Sequence, residues 1–182
     1  MNPLKKIWCL ASIFLLISCA ENLDFTQLDD FRLTPVLTSA LAYFNAQPFQ
    51  FFDESGVQQN NKEEVLEFEL FQDSFIVNNV VEMVFNAEFK NELDRDVNLQ
   101  VDLLSPTDAT IYSFKPMFIA RGDINPPAYE EAISIGLTPD ILKVTKVRIR
   151  ASLENTGTPM NPIDTSEFEF KSSVTLFIES EL

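Results

Sequence analysis

The chain contains no histidine. That absence removes the usual Ser–His and Cys–His nucleophile pairs and most catalytic zinc sites, which draw on imidazole. Glycine is nearly as scarce. Gly56, Gly122, Gly136 and Gly157 are the only four, and they lie far apart, so no Gly-rich phosphate loop can be assembled. The one tryptophan, Trp8, and both cysteines, Cys9 and Cys19, fall before residue 20. Positive charge is also short, with 13 Lys and Arg against 28 Asp and Glu, a net charge of −15. A surface this acidic repels phosphate backbones and excludes nucleic acid as a partner. It repels anionic lipid headgroups equally, so any hold on a membrane must come from something other than a basic patch.

What the chain does have begins at its N-terminus. Lys5 and Lys6 precede an apolar run from Ile7 to Ile17, and the small residue Ser18 follows. These are the parts of a secretory signal. The run is too short for an anchor: eleven residues at about 1.5 Å each give roughly 16 Å of helix, half of the ~30 Å hydrocarbon core. An ordinary cleavable signal would end on Ala-x-Ala rather than Ile-Ser-Cys. Leu16-Ile17-Ser18-Cys19 resembles the lipobox of bacterial lipoproteins. The resemblance implies that residues 1–18 are removed, that Cys19 is the lipid-attachment site, and that the chain is held permanently by several acyl chains, since one chain binds only marginally. Losing Lys5 and Lys6 leaves 11 basic residues against 28 acidic, a net −17. Cys9 leaves with the signal, so no intramolecular disulfide is available and stability rests on the core. By the same resemblance, Ala20 after the Cys favours the outer membrane, on its periplasmic or surface face. The acidic tether that follows loosely resembles the export signals of Bacteroidetes lipoproteins. The whole chain is similar to small β-sandwich lipoproteins of that group.

Residues 19–34 are thus expected to be a lipidated, acidic tether, and residues 35–182 a single domain. The dominant signal there is alternation of period two. Val81, Met83, Phe85, Ala87 and Phe89 alternate with mostly polar neighbours. So do Val97, Leu99, Val101 and Leu103, then Val147, Ile149, Ala151 and Leu153, and finally Phe168, Phe170, Val174, Leu176 and Ile178. Leu66, Phe68 and Leu70 add a further strand. One buried and one wet face per strand is antiparallel patterning. Asn91 to Asp96 reads as a hairpin, Ser105-Pro106-Thr107-Asp108 as a turn, and Thr138-Pro139-Asp140-Ile141-Leu142 as one helical turn. Pro35 to Phe44 fits a helix capped by Thr34, or a strand with Leu37, Leu41 and Tyr43 on one face. The strand is favoured by Phe49-Gln50-Phe51-Phe52 after Pro48. The expected fold is all-β: a single antiparallel β-sandwich of about seven to nine strands, immunoglobulin-like or fibronectin-III-like.

Few constellations suggest chemistry. Paired carboxylates can be chosen at will among 28, so a glycosidase pair carries no specificity. Asp94 and Asp96, beside Asn91 and Glu92, offer oxygens for calcium, but Asp and Asn also occupy turns for backbone reasons, and the D-x-[DN]-x-[DN]-G pattern is missing. Arg121-Gly122-Asp123 spells an adhesive tripeptide and equally a turn. Phe44, Phe49, Phe51 and Phe52 read as core, with one of Phe51 and Phe52 exposed if the segment is a strand. No catalytic residue, metal site, cofactor or small-molecule substrate is inferred. The sequence reads as a lipid-anchored cell-envelope module that binds or assembles with an envelope protein. Alternatives are a surface binder of calcium or a glycan and, last, an enzyme.

Overall fold

The computed structural model describes residues 32–181; the signal segment, Cys19 and most of the tether lie outside them. The chain separates into two compact units. In the smaller one, Arg32 and Glu181 are joined by an ion pair at 3.2 Å. They belong to two-residue strands, β1 (Arg32–Leu33) and β11 (Ser180–Glu181), which pair with each other. The larger unit, residues 33–180, is an antiparallel β-sandwich.

Sheet I has the order β2-β10-β4-β8, formed by Val36–Ala46, Phe168–Ile178, Val80–Asn91 and Tyr129–Ser134. Sheet II has the order β3-β9-β5-β6, formed by Asn61–Glu67, Lys146–Leu153, Val97–Leu104 and Thr110–Ser113. A further short strand, β7 (Met117–Ile119), continues the line of β6 along β5. The one α-helix among the described residues is α1, Ser74–Asn79, capped by the Asp73 carboxylate, which accepts the amides of Phe75 and Ile76.

The all-β sandwich is the one the alternation predicts, and the strand order refines it. The chain passes from one sheet to the other between β2 and β3, β3 and β4, β4 and β5, β7 and β8, β8 and β9, and β9 and β10. That wrapping is a jelly roll, not the immunoglobulin-like or fibronectin-III-like order expected. The expected hairpin at Asn91–Asp96 is accordingly a crossing between sheets. β4 pairs with β10 and β8, whereas β5 pairs with β9, β6 and β7. Leu93, in the middle of that loop, is buried and fixes the crossing to the core. Asn91, itself buried, donates its side-chain amide to the carbonyls of Arg95 and Ala120, each at 2.9 Å, and its Oδ1 accepts the Leu93 N–H at 3.1 Å.

Both sheets feed one core. Met83, Phe85 and Ala87 of β4, Val97, Leu99, Val101 and Leu103 of β5, Val147, Ile149, Ala151 and Leu153 of β9, and Phe168, Phe170, Val174, Leu176 and Ile178 of β10 are all buried. Phe85 stacks on Phe114 with ring centroids 4.1 Å apart. Pro35–Phe44 resolves in favour of the strand, with a different inner face. The pairing of β2 with β10 skips Leu41, so Ala42, Phe44 and Ala46 point inward and Tyr43 outward. A bulge of this kind reverses the alternation beyond it. Residues 48–51 form a 3₁₀ turn rather than a strand, with Phe51 buried and Phe49 54% exposed. The strand read from Leu66, Phe68 and Leu70 stops at Glu67, where the chain turns into a short 3₁₀ segment.

Candidate functional site

A two-layer sandwich of open sheets has four edge strands, each with a row of backbone groups a partner can use. Here they differ sharply. On one side β8 of sheet I and β6 of sheet II come together. Glu131 of β8 accepts the Tyr112 hydroxyl of β6 at 2.5 Å, and also the Tyr129 hydroxyl. Burial alone would raise the Glu131 carboxyl, but these two hydroxyls and the Lys115 amide outweigh it and hold the group below the usual range. The same contacts work in reverse on the phenols. Burial and then the Glu131 charge push Tyr112 up to about 12 and raise Tyr129 as well. This side of the sandwich is tied shut.

A second polar cluster lies on the outer face of sheet II. Asp102 and Arg148 are directly opposite across β5 and β9 and form a two-point ion pair at 2.6 and 3.1 Å. Ser113 and Gln100 donate to the other Asp102 oxygen. Burial works to raise Asp102, and its donors, Arg148 first, more than offset it. In both clusters the carboxylate oxygens are spent on protein donors, the arrangement of a structural tie.

The opposite side is open. Between β2 and the segment that follows β3 runs a groove of about 430 Å³. Its apolar lining is Leu41, Phe68, Leu70 and Ile76; its rim carries Glu67, Glu69 and Asp73, all exposed; and Ser39 to Leu41 of β2 form its wall. The bulge at Leu41 and the end of β3 at Glu67 together shape it. Phe68 is held by its amide, which donates to the Thr145 carbonyl at 2.7 Å, and by an edge-to-face contact with Phe71.

The residues singled out from the sequence do not gather here. Cys19 lies outside the described residues. Asp94 and Asp96 both face protein donors: Asp94 pairs with Arg95 at 2.9 Å, and Asp96 accepts the Arg121 amide at 2.8 Å. Among the described residues no group of three or more Cys, Asp or Glu is placed to hold a metal ion. Arg121-Gly122-Asp123 is a tight turn with Gly122 at φ +69°, packed on the Asn91–Asp96 crossing through hydrogen bonds to Asn91 and Leu93. Glu67 and Glu69 appear in the sequence only as the wet face of a strand. The groove escapes a sequence reading because its two walls lie more than 25 residues apart.

No protein-family model and no curated protein matches the chain. Among solved structures it is similar to the T13 particle of infectious bursal disease virus, at 14% identity and TM-score 0.42, over 80% of this chain and 31% of that one. It is similar to the VP2 subviral particle of the same virus, at 13% and 0.41, over 82% and 33%. A Parabacteroides distasonis protein described as secreted matches at 12% and 0.48, over 64% and 37%. The chain therefore spans about a third of the length of these proteins. Likenesses this distant carry no functional argument.

Proposed function

We propose that the protein is a lipid-anchored, non-catalytic binding or assembly module of a bacterial cell envelope, attached to the outer membrane through Cys19. The observation that carries the anchor is Leu16-Ile17-Ser18-Cys19 closing a Lys-led apolar run of signal length. The module reading is supported by the described domain. Its buried Asp102 and half-buried Glu131 carboxylates serve as ties between strands, and its open groove is apolar with a charged rim. Fractionation tests the anchor. Wild-type protein partitions with membranes and incorporates labelled palmitate, whereas Cys19→Ser is released or accumulates uncleaved. Identical behaviour of the two forms refutes the anchor.

A further inference from the structure

The four edge strands of the sandwich are not equally protected. β3 carries Lys62, Glu63, Glu64 and Glu67 within seven residues. β6 is four residues long. β8 carries Glu130 and Glu131 and is bound to the opposite sheet through Tyr112. Charge, shortness and coverage are the devices by which edges are kept from pairing with other chains. β2 uses none of these three, and its one interruption is the bulge at Leu41. It is 11 residues long and reads Val-Leu-Thr-Ser-Ala-Leu-Ala-Tyr-Phe-Asn-Ala, without one charged residue. Among the described residues no strand pairs with its outer side. Val36 and Leu37 on it are 55% and 42% exposed, and Phe177, opposite Val36, is 37% exposed. The acidic groove opens beside the middle of this strand, at Ser39 to Leu41.

We infer that β2 receives an extended segment of an envelope protein that alternates apolar with basic residues and adds to sheet I as another strand beyond its edge. The backbone of the incoming segment bonds to the free side of β2, which supplies affinity in strand addition, while alternate side chains supply specificity. Its apolar residues fill the groove over Leu41, Phe68, Leu70 and Ile76, and its basic residues, which alternation turns to the other face, bend back on their long stems to the exposed carboxylates of Glu67, Glu69 and Asp73. The charge complementarity selects this occupant over a second copy of the chain, because two acidic rims brought together repel. The inference deepens the module reading and rests on it, but not on the anchor.

The test uses the full chain in neutral detergent and short capped peptides alternating lysine with valine. The lysine–valine peptide binds, and its glutamate–valine counterpart does not. Glu67→Lys with Glu69→Lys weakens binding at least tenfold. Glu88→Lys with Glu130→Lys, the same change in net charge on the outer face of sheet I, alters it less than threefold. A lysine–valine peptide N-methylated at every residue, unable to donate from either edge, loses binding. Equal effects of the two double variants, or undiminished binding of the methylated peptide, overturn the inference while leaving the module reading standing. A concentration-dependent dimer that the peptide fails to dissociate overturns it in favour of self-pairing. Membrane release of wild-type protein in the fractionation above would strike the anchor alone.

Discussion

Asn91 offers the sharpest test of how this sandwich is wired. It ends β4 where the chain leaves sheet I for sheet II, and its side chain is fully buried. Replacing it with alanine strands the carbonyl of Arg95 and the amide of Leu93, while the carbonyl of Ala120 keeps the Asp123 N–H. Each buried group left without a partner costs about 1–3 kcal/mol. Two such groups give a loss of about 4 kcal/mol. That is a large share of the roughly 5–15 kcal/mol that holds a domain together. For a domain of this size each kcal/mol moves Tm by about 2–4 °C. Asn91→Ala is therefore expected to melt about 8–16 °C below wild type, followed by far-UV circular dichroism.

Asn91→Asp separates hydrogen bonding from packing. The side chain keeps its shape but turns acceptors toward two carbonyl oxygens. At neutral pH it should destabilise at least as much as alanine. Burial against carbonyls raises the folded-state carboxyl, while the unfolded one releases its proton near pH 4. The folded state then binds more protons than the unfolded, so the stability of this variant relative to wild type falls as pH rises above about 4 and recovers below it. A Tm within 2 °C of wild type for alanine, or an aspartate variant as stable as wild type at pH 7, refutes the assignment of Asn91 as the tie of the crossing.

Two further outcomes follow from the polar clusters. Alkaline spectrophotometric titration should find Tyr112 ionising at about 12, and Glu131→Gln should bring it down toward the ordinary value of about 10. Because a raised phenol keeps its proton only in the folded state, stability falls as pH climbs above about 10, and a Tyr112 that titrates normally in the wild type contradicts the closed edge. Arg148→Met leaves the Asp102 carboxylate buried beside only Ser113 and Gln100, and should cost toward the low end of roughly 3–5 kcal/mol, since Arg148 itself is partly exposed. The wild-type pair holds Asp102 below its usual value, so its contribution is present above about pH 4 and is lost as pH falls further; equal acid sensitivity in wild type and Arg148→Met on urea titration would show that the pair contributes nothing.

The strands that alternate without interruption are those legible from sequence. β5, β9 and β10 bury the residues their period of two selects, and β4 does so at Met83, Phe85 and Ala87, because burial on one face is the force that patterned them; Val81, expected on the same face, is skipped in the pairing with β10 and exposed, with Val80 buried instead. Legibility fails where a single residue breaks the period. Leu41 is skipped in the pairing with Ser172 and Ser173, and everything beyond it in β2 changes face. It fails again at Asn91–Asp96, where a polar loop of hairpin length hides Leu93 and sends the chain across the sandwich. The short strands β6 and β7 are the two parts of an edge broken at Phe114, whose ring leaves the strand line to stack on Phe85. Too few residues remain on either side to show a period. The groove was least legible of all, because Leu41 and Glu67 acquire their common role only when β2 and the end of β3 meet.

The distribution of charge argues that the exposed edge is not an accident of composition. Where this chain needs a solvated strand it uses Glu and Lys freely: β3 has four charged residues in seven, and β9 has Lys146, Arg148 and Arg150 alternating with its core residues. The cationic side chains of β9 are then matched one by one, Lys146 with Asp108, Arg148 with Asp102 and Arg150 with Glu63. Cations are scarce in this chain, so spending them inside sheet II leaves the acidic rim of the groove without a basic residue among its lining. A long edge free of charge, next to an acidic rim eased only by Lys146 across from Glu67 and by the two amides that Asp73 accepts, is unfavourable for an isolated domain on both counts. Both terms reverse sign when a strand that is itself basic and apolar lies against it. The features that make β2 a liability alone are those that make it selective in a complex.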